Sequence, residues 1–391
     1  MATVAIQPEM NAARTASPLA LYVHWPFCVS KCPYCAFNSH VRSSIDQDDW
    51  REALLADLTH EAGLLPGHRL TSIFFGGGTP SLMEPSTVES IIASAREHWA
   101  SEADIEITLE ANPNSVEAAK FADLASAGVN RISLGLQSFD DQSLAFLGRA
   151  HSAAEGLRAL EMAQSVLDRV SFDLIYALPG DTVETWEANL DRALNLGTEH
   201  LSLYQLTIEP GTRFATMVAK HEFDPLDADS SATLFELTQE RTATAGLPAY
   251  EISNHARNGA ESRHNLSYWR YLDYAGVGPG AHGRRTGMRT VRHKKPENFL
   301  AAVRRNGHAI VEEESLTSEE AAHEALVMGL RLTEGIDSSA LAERLGVERM
   351  VDDIAVDRLV GYGLIERDGP LIRTTATGRL LLDSILAEIA A

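Results

Sequence analysis

Three thiols stand out as the groups able to do chemistry. Cys28, Cys32 and Cys35 are the only cysteines in 391 residues. They share one stretch, Tyr22-Val-His-Trp-Pro-Phe-Cys-Val-Ser-Lys-Cys-Pro-Tyr-Cys-Ala-Phe37. An odd number of thiols within eight residues is not a disulfide framework. Three readings compete. Cys32-Pro33-Tyr34-Cys35 alone would suit a redox pair with a lowered thiol pKa, but the third cysteine and the long chain speak against a small redox module. Zinc completed by His24 or His40 would give a Cys3His set, yet structural zinc sites usually draw ligand pairs from separate places. An iron–sulfur cluster fits better. Cubane clusters take four thiolates, so three leave one iron able to bind something exchangeable.

The surrounding elements must position that loop. Leu21–Trp25 reads as a strand that delivers it, and residues 48–65 have helical periodicity. Ser72–Phe75 is a second strand ending in Gly76-Gly77-Gly78-Thr79-Pro80, followed by a helix near 85–98. Ile105–Leu109 runs into Glu110-Ala111-Asn112-Pro113, and Gly128 closes the next helix. Arg131–Leu136 ends in Gln137-Ser138-Phe139, Val170–Tyr176 precedes Leu178-Pro179-Gly180, and Leu201–Ile208 precedes Glu209-Pro210-Gly211. Strand and helix alternate six times, with nearly unbroken apolar runs in the last strands, as a parallel sheet buried on both faces requires. The unusual residues all follow strands, where barrel active sites are assembled. The expected fold is therefore α/β: a partial, laterally open (β/α)6 TIM-like barrel over 19–215, with a doubly wound sheet as the structural alternative.

The rhythm changes after residue 215. Residues 230–245 look helical, and 250–269 is polar and aromatic. Gly276–Gly283 is glycine-rich, and a hairpin is expected to turn at Thr286-Gly287. We expect 216–315 to be an extension and 316–391 a mostly helical, winged-helix-like domain, with 1–18 a disordered tail. Residues 311–391 hold 17 Asp and Glu against 7 Lys and Arg, which opposes DNA reading by that domain. The whole chain carries −22, so general nucleic-acid binding and a polybasic membrane anchor are both disfavoured. No apolar leader and no integral membrane segment are read. A cytoplasmic setting, where thiols stay reduced, is expected.

C-x3-C-x2-C after the first strand, with Tyr34 before the last cysteine, resembles the signature of the radical S-adenosylmethionine (SAM) superfamily. Tyr22–Cys28, Phe75-Gly-Gly-Gly-Thr-Pro80 and Arg131-Ile-Ser-Leu-Gly-Leu-Gln-Ser-Phe139 are similar to the coproporphyrinogen III oxidase-like branch. That branch contains the anaerobic oxidase and the HemW-type heme chaperones. The resemblance implies a [4Fe-4S] cluster on Cys28, Cys32 and Cys35, with SAM chelating the open iron. It further implies Gly77, Gly78 and Thr79 beside the methionyl amino group, with Glu110 and Gln137 near the ribose. Arg149 would take the carboxylate, Asp173 would face the barrel interior, and Tyr22 and Tyr34 would cover the ligand.

Two departures turn the resemblance toward the chaperones. The oxidase has a fourth cysteine two residues after the third, where this chain has Phe37, and a longer segment before its first strand. His264-Asn265-Leu266-Ser267-Tyr268-Trp269 matches the H-N-x-x-Y-W word of the chaperones, which implies heme at His264, Asn265, Tyr268 and Trp269. Ala36 departs from the acid common there among chaperones. The implied partners are heme and acceptor hemoproteins, among them membrane-bound respiratory enzymes; a homodimer is left open. The rival reading is an enzyme that oxidatively decarboxylates coproporphyrinogen III, in porphyrin biosynthesis.

Overall fold

The computed structural model describes residues 16–285 and 287–390. The tail expected over 1–18 falls mostly outside them, and the first strand already begins at Pro18. Six strands follow one another in space as in sequence: β1 (Pro18–Trp25), β2 (Arg69–Gly77), β3 (Ala100–Ala111), β4 (Arg131–Gln137), β5 (Arg169–Tyr176) and β6 (His200–Gln205). Every neighbouring pair among them is parallel. Helices intervene, as right-handed crossovers demand. The helix expected near 85–98 spans Pro85–His98, with proline in its first turn, where no N–H is needed.

β6 is followed across the sheet by an antiparallel edge, β7 (Asn254–Ala256). On the other side of β1 comes β8 (Asp273–Val277), a seventh parallel strand. Beyond it lie the antiparallel β9 (His282–Arg285), β10 (Met288–Arg292) and β11 (Ile310–Ser315). Among the described residues β1 and β6 do not pair, so the barrel stays open. The segment read as an extension is thus built into the barrel sheet. Gly287 at the β9–β10 turn has φ of 75°, as a tight hairpin needs; Thr286 lies outside the described residues.

The main core joins Leu19, Leu21, Val23 and Trp25 of β1 to Ile73 and Phe75 of β2, and to the inner faces of the helices. Burying a large apolar side chain is worth about 1.5–3 kcal/mol. A second core belongs to the C-terminal part, where helices Ser318–Gly329, Ser338–Leu345 and Asp353–Gly361 pack on a small sheet of Ile336–Asp337, Leu371–Thr374 and Ile365–Asp368. Two further helices, Ala376–Arg379 and Leu382–Ile389, follow the hairpin, and the last packs into this core; the part is mostly helical, as the sequence rhythm suggests.

One buried ionic group ties β10 to the barrel. Arg292 donates to Asp57 at 2.6 Å and to Glu61 at 2.7 Å, all three fully buried. Arg285 adds a second bond to Glu61 at 3.0 Å. Asp57 also accepts the N–H groups of Gly278 and Ala309, so nearly every lone pair of the acid is used.

Candidate functional site

β1 ends at Trp25, and the chain turns through the cysteine loop directly above the strand ends. Backbone bonds fix the loop at both feet. Gly78 donates to the Trp25 carbonyl at 2.7 Å, Thr79 to that of Phe27 at 2.8 Å, and His40 to that of Pro26 at 2.7 Å. Farther out, Phe214 donates to the Pro33 carbonyl at 3.0 Å, and Tyr34 packs against the Phe214 ring. All three thiols are free and partly exposed. Thr79 Oγ1 lies 3.5 Å from Cys28 Sγ, and an Arg149 nitrogen 3.5 Å from Cys32 Sγ. Burial pushes the Cys28 thiol up, while the Thr79 hydroxyl works against that rise.

The zinc alternative loses its histidine. His24 Nε2 donates to the Asn38 carbonyl at 2.9 Å, which leaves Nδ1 to accept from the Tyr22 hydroxyl at 2.9 Å. Burial holds this ring neutral, at about 4. Three accessible thiols flanked by an arginine and a hydroxyl suit the thiolates of a cluster.

Gly77 and Gly78 are required by close approach. A Cβ on Gly77, whose φ is 112°, would lie 2.6 Å from the His24 ring, and one on Gly78 would lie 2.6 Å from the Phe27 carbonyl. Their N–H groups are used by the fold, with that of Gly77 on Glu110 at 3.2 Å. What this segment offers a cationic amine is therefore carbonyl oxygen.

Arg149 is fixed from below. One nitrogen donates to Asn112 Oδ1 at 2.5 Å and to the Gly135 carbonyl at 3.0 Å. Asn112 in turn donates to Thr79 Oγ1 at 3.0 Å. Asn112 was not among the residues singled out by type. Its signal lay in the Glu110-Ala111-Asn112-Pro113 word at a strand end, and it joins the loops after β2, β3 and β4. Gln137, at the end of β4, is buried with φ of 66°, a left-handed conformation rare outside glycine.

A polar row crosses β3 to β6 in the barrel: Glu110, Ser133, Asp173 and Ser202. Ser133 donates to Asp173 at 3.2 Å. Burial raises the Glu110 carboxyl to about 8, helped by the nearby Asp173 charge. Burial also raises Asp173, to about 6, against hydrogen bonds from Ser202 and Ser133. Near neutral pH the pair holds about one negative charge, which a cationic ligand would offset.

The His264 segment lies elsewhere. Helix Arg263–Trp269 caps the lower end of the barrel: Ser262 Oγ and the N–H groups of Arg263 and His264 all donate to Glu106. His264 is 1% exposed. Its Nδ1 is 3.0 Å from Ser72 Oγ, its Nε2 is 3.1 Å from the Tyr268 hydroxyl, and its ring stacks on Phe74. Burial lowers it to about 3. Both ring nitrogens thus face hydroxyl groups, and His264 braces the barrel from within. Asn265 donates to the Tyr250 hydroxyl, and Trp269 packs under Arg331.

Of that word, Tyr268 reaches a cleft. The cleft, of about 570 Å³, opens beside the cysteine loop and is walled by Tyr22, Tyr268, Tyr274, Phe37, His40 and His282.

The sequence pattern of the radical SAM superfamily matches residues 22–193, and that of the HemN C-terminal domain matches 316–381. The chain is 36% identical to the heme chaperone HemW of Escherichia coli over 94% of this chain and 97% of that one. It is 37% identical to the mitochondrial radical S-adenosyl methionine domain-containing protein 1 of mouse, over 98% of this chain and 89% of the other. The structure of coproporphyrinogen III oxidase (HemN) from E. coli superposes with a TM-score of 0.81 at 24% identity, over 96% of this chain and 91% of that one. That last likeness concerns the fold.

Proposed function

Because this chain belongs to the HemW family of radical SAM proteins, we propose that it binds heme and passes it to acceptor hemoproteins. A [4Fe-4S] cluster on Cys28, Cys32 and Cys35 would accompany this activity, with SAM at the open iron. The carrying observation is identity of 33–37% to HemW chaperones over at least 92% of the chain. Phe37, in place of a fourth cysteine, accords with it.

When bound, the cluster and SAM supply one-electron chemistry. The chain's own part is to hold them. Gly77, Gly78 and Thr79 would offer carbonyl oxygen to the amino group, Arg149 would take the carboxylate, and Glu110, Gln137 and Asp173 would serve the remaining polar groups. Tyr34 and Tyr22 wall the site. No net turnover is required for heme transfer. Among the described residues no helix is long and apolar enough to cross a membrane. We place the protein in the cytoplasm because its site depends on reduced thiols; membrane-bound respiratory enzymes are among the proposed acceptors.

The test is anaerobic. Reconstituted protein is given heme, or coproporphyrinogen III with SAM and a reductant. Stoichiometric heme binding without porphyrinogen conversion is expected. Protoporphyrinogen formation would overturn the proposal in favour of an oxidase.

A further inference from the structure

His264 is buried and bonded to the Tyr268 hydroxyl, and the Tyr268 ring lines a cavity with the size and chemistry for heme. The cleft beside the cysteine loop, of about 570 Å³, lies within the range of small-molecule sites. Three tyrosines, Tyr22, Tyr268 and Tyr274, form its inner wall. Phe37, 69% exposed, stands at its rim, the kind of unburied apolar surface that marks a binding site. A porphyrin is a flat apolar disc with two carboxylates at one edge, so it wants aromatic walls, two cations and an imidazole.

All three are here. The chain has only five lysines, and two of them, Lys31 and Lys294, line this cleft from opposite elements. Neither forms an ion pair among the described residues, whereas Lys120 is paired with Glu84. Free ammonium groups suit carboxylate ligands; Lys220 and Lys295 also lack an ion pair among the described residues, so it is their place in the cleft that marks Lys31 and Lys294. Three histidines line the space, and His24 is committed to the Asn38 carbonyl and the Tyr22 hydroxyl. His40 is committed, with Nε2 3.1 Å from Asn38 Oδ1. His282, the first residue of β9, is exposed, and its ring has no hydrogen-bond partner among the described residues. Partial desolvation of the ring, then the nearby Lys294 charge, lower its pKa, which favours the neutral form that ligates iron.

Asn38 makes the cleft rigid. Its amide donates to the carbonyls of Pro279 and Lys294, both at 2.9 Å, binding the cysteine loop to the β8–β9 turn and to the segment after β10. A Cβ on Gly280 would lie 2.6 Å from that amide. The floor of the cleft and the cysteine loop are therefore one unit.

We infer that this cleft is the heme site, with His282 as axial ligand to the iron and Lys31 and Lys294 holding the propionates. This inference rests on the proposed heme-binding function and gives it a location. Heme would lie beside Ala36 and Phe37, the two residues that follow Cys35, so cluster occupancy and heme binding share one loop.

The test titrates the full-length, cluster-reconstituted protein with hemin and follows the Soret band. Wild type should give an imidazole-ligated spectrum. His282→Ala should lose that spectrum and weaken binding at least about tenfold, with added imidazole restoring the spectrum and the cluster absorption unchanged. Lys31→Ala combined with Lys294→Ala should weaken hemin about tenfold yet leave hemin dimethyl ester unaffected. If wild type binds no hemin, the proposed function itself fails. If wild type binds but His282→Ala keeps the spectrum, or His40→Ala alone loses it, the assignment of this site is overturned and the function stands.

Discussion

Replacing Glu110 by glutamine should make the ligand-free protein more stable while weakening its hold on SAM. The Glu110 carboxyl sits in the barrel beside Asp173, and burial raises it from 4.5 to about 8. A raised folded-state pKa means that the folded chain keeps a proton where the unfolded chain has lost it. The stability contributed is complete below the unfolded value near 4.5 and is lost as pH rises through about 8. A pKa unit corresponds to about 1.4 kcal/mol. The full shift would approach about 5 kcal/mol, and water in the open lumen and the coupling to Asp173 bring it to about 2–4 kcal/mol. Glutamine removes the charge yet keeps an oxygen for the Gly77 N–H. Anaerobic denaturant titrations from pH 5 to pH 9 should show wild type losing stability across that range. The variant should have a shallower slope and be more stable at pH 8.5. Its affinity for SAM, read by calorimetry, should fall about tenfold because the carboxylate that pairs with a cationic ligand is gone. Equal slopes in the two proteins, or a less stable variant at high pH, would refute the reasoning.

Other outcomes follow from the same geometry. Cys32→Ser should abolish the visible absorption of the reconstituted cluster and its iron content, and a zinc-loaded, iron-free wild type would contradict the cluster. Gly278→Ala should cost about 2–3 kcal/mol in chemical denaturation, since its φ is 99° and a Cβ would lie 2.3 Å from the His24 carbonyl. Arg292→Met should cost about 3–5 kcal/mol because it strands the buried Asp57 and Glu61 carboxylates; a change below 1 kcal/mol would show that the group is not needed.

Much of the barrel was legible because each strand carries its own apolar run and ends in a distinctive word. Strand ends were less so: Arg69–Leu70 and Ala100–Ser101 pair with each other although they are polar or weakly apolar, since a ladder constrains backbone and not side-chain type. β8 escaped notice as a parallel strand. It is short, lies after three helices and the edge strand β7, and returns to β1 from far along the chain, so no local pattern announces it. At Gly77 and Gly78 the sequence shows only glycine; the close approach of the His24 ring and the Phe27 carbonyl that demands it is tertiary.

At His264 the H-N-x-x-Y-W word implies heme, while the burial of its ring is a tertiary property. A clue was present: residues 264 and 268 stand four apart on a helix, so a histidine there meets the tyrosine hydroxyl of its own helix face. His282 and Lys294 come together only when β9 and the segment after β10 fold against the cysteine loop. No spacing rule links residue 38 to residues 279 and 294; the Asn38 amide does.

The most direct test of the central claim is transfer. Full-length protein carrying a reconstituted cluster and one equivalent of heme is mixed with an apo-hemoprotein whose Soret band is distinct. Heme-loaded albumin serves as the comparison donor. The account predicts that the Soret band moves to the acceptor's position faster than from albumin, and that the cluster absorption persists throughout. Heme that stays on this protein, or that leaves no faster than from albumin, would contradict it.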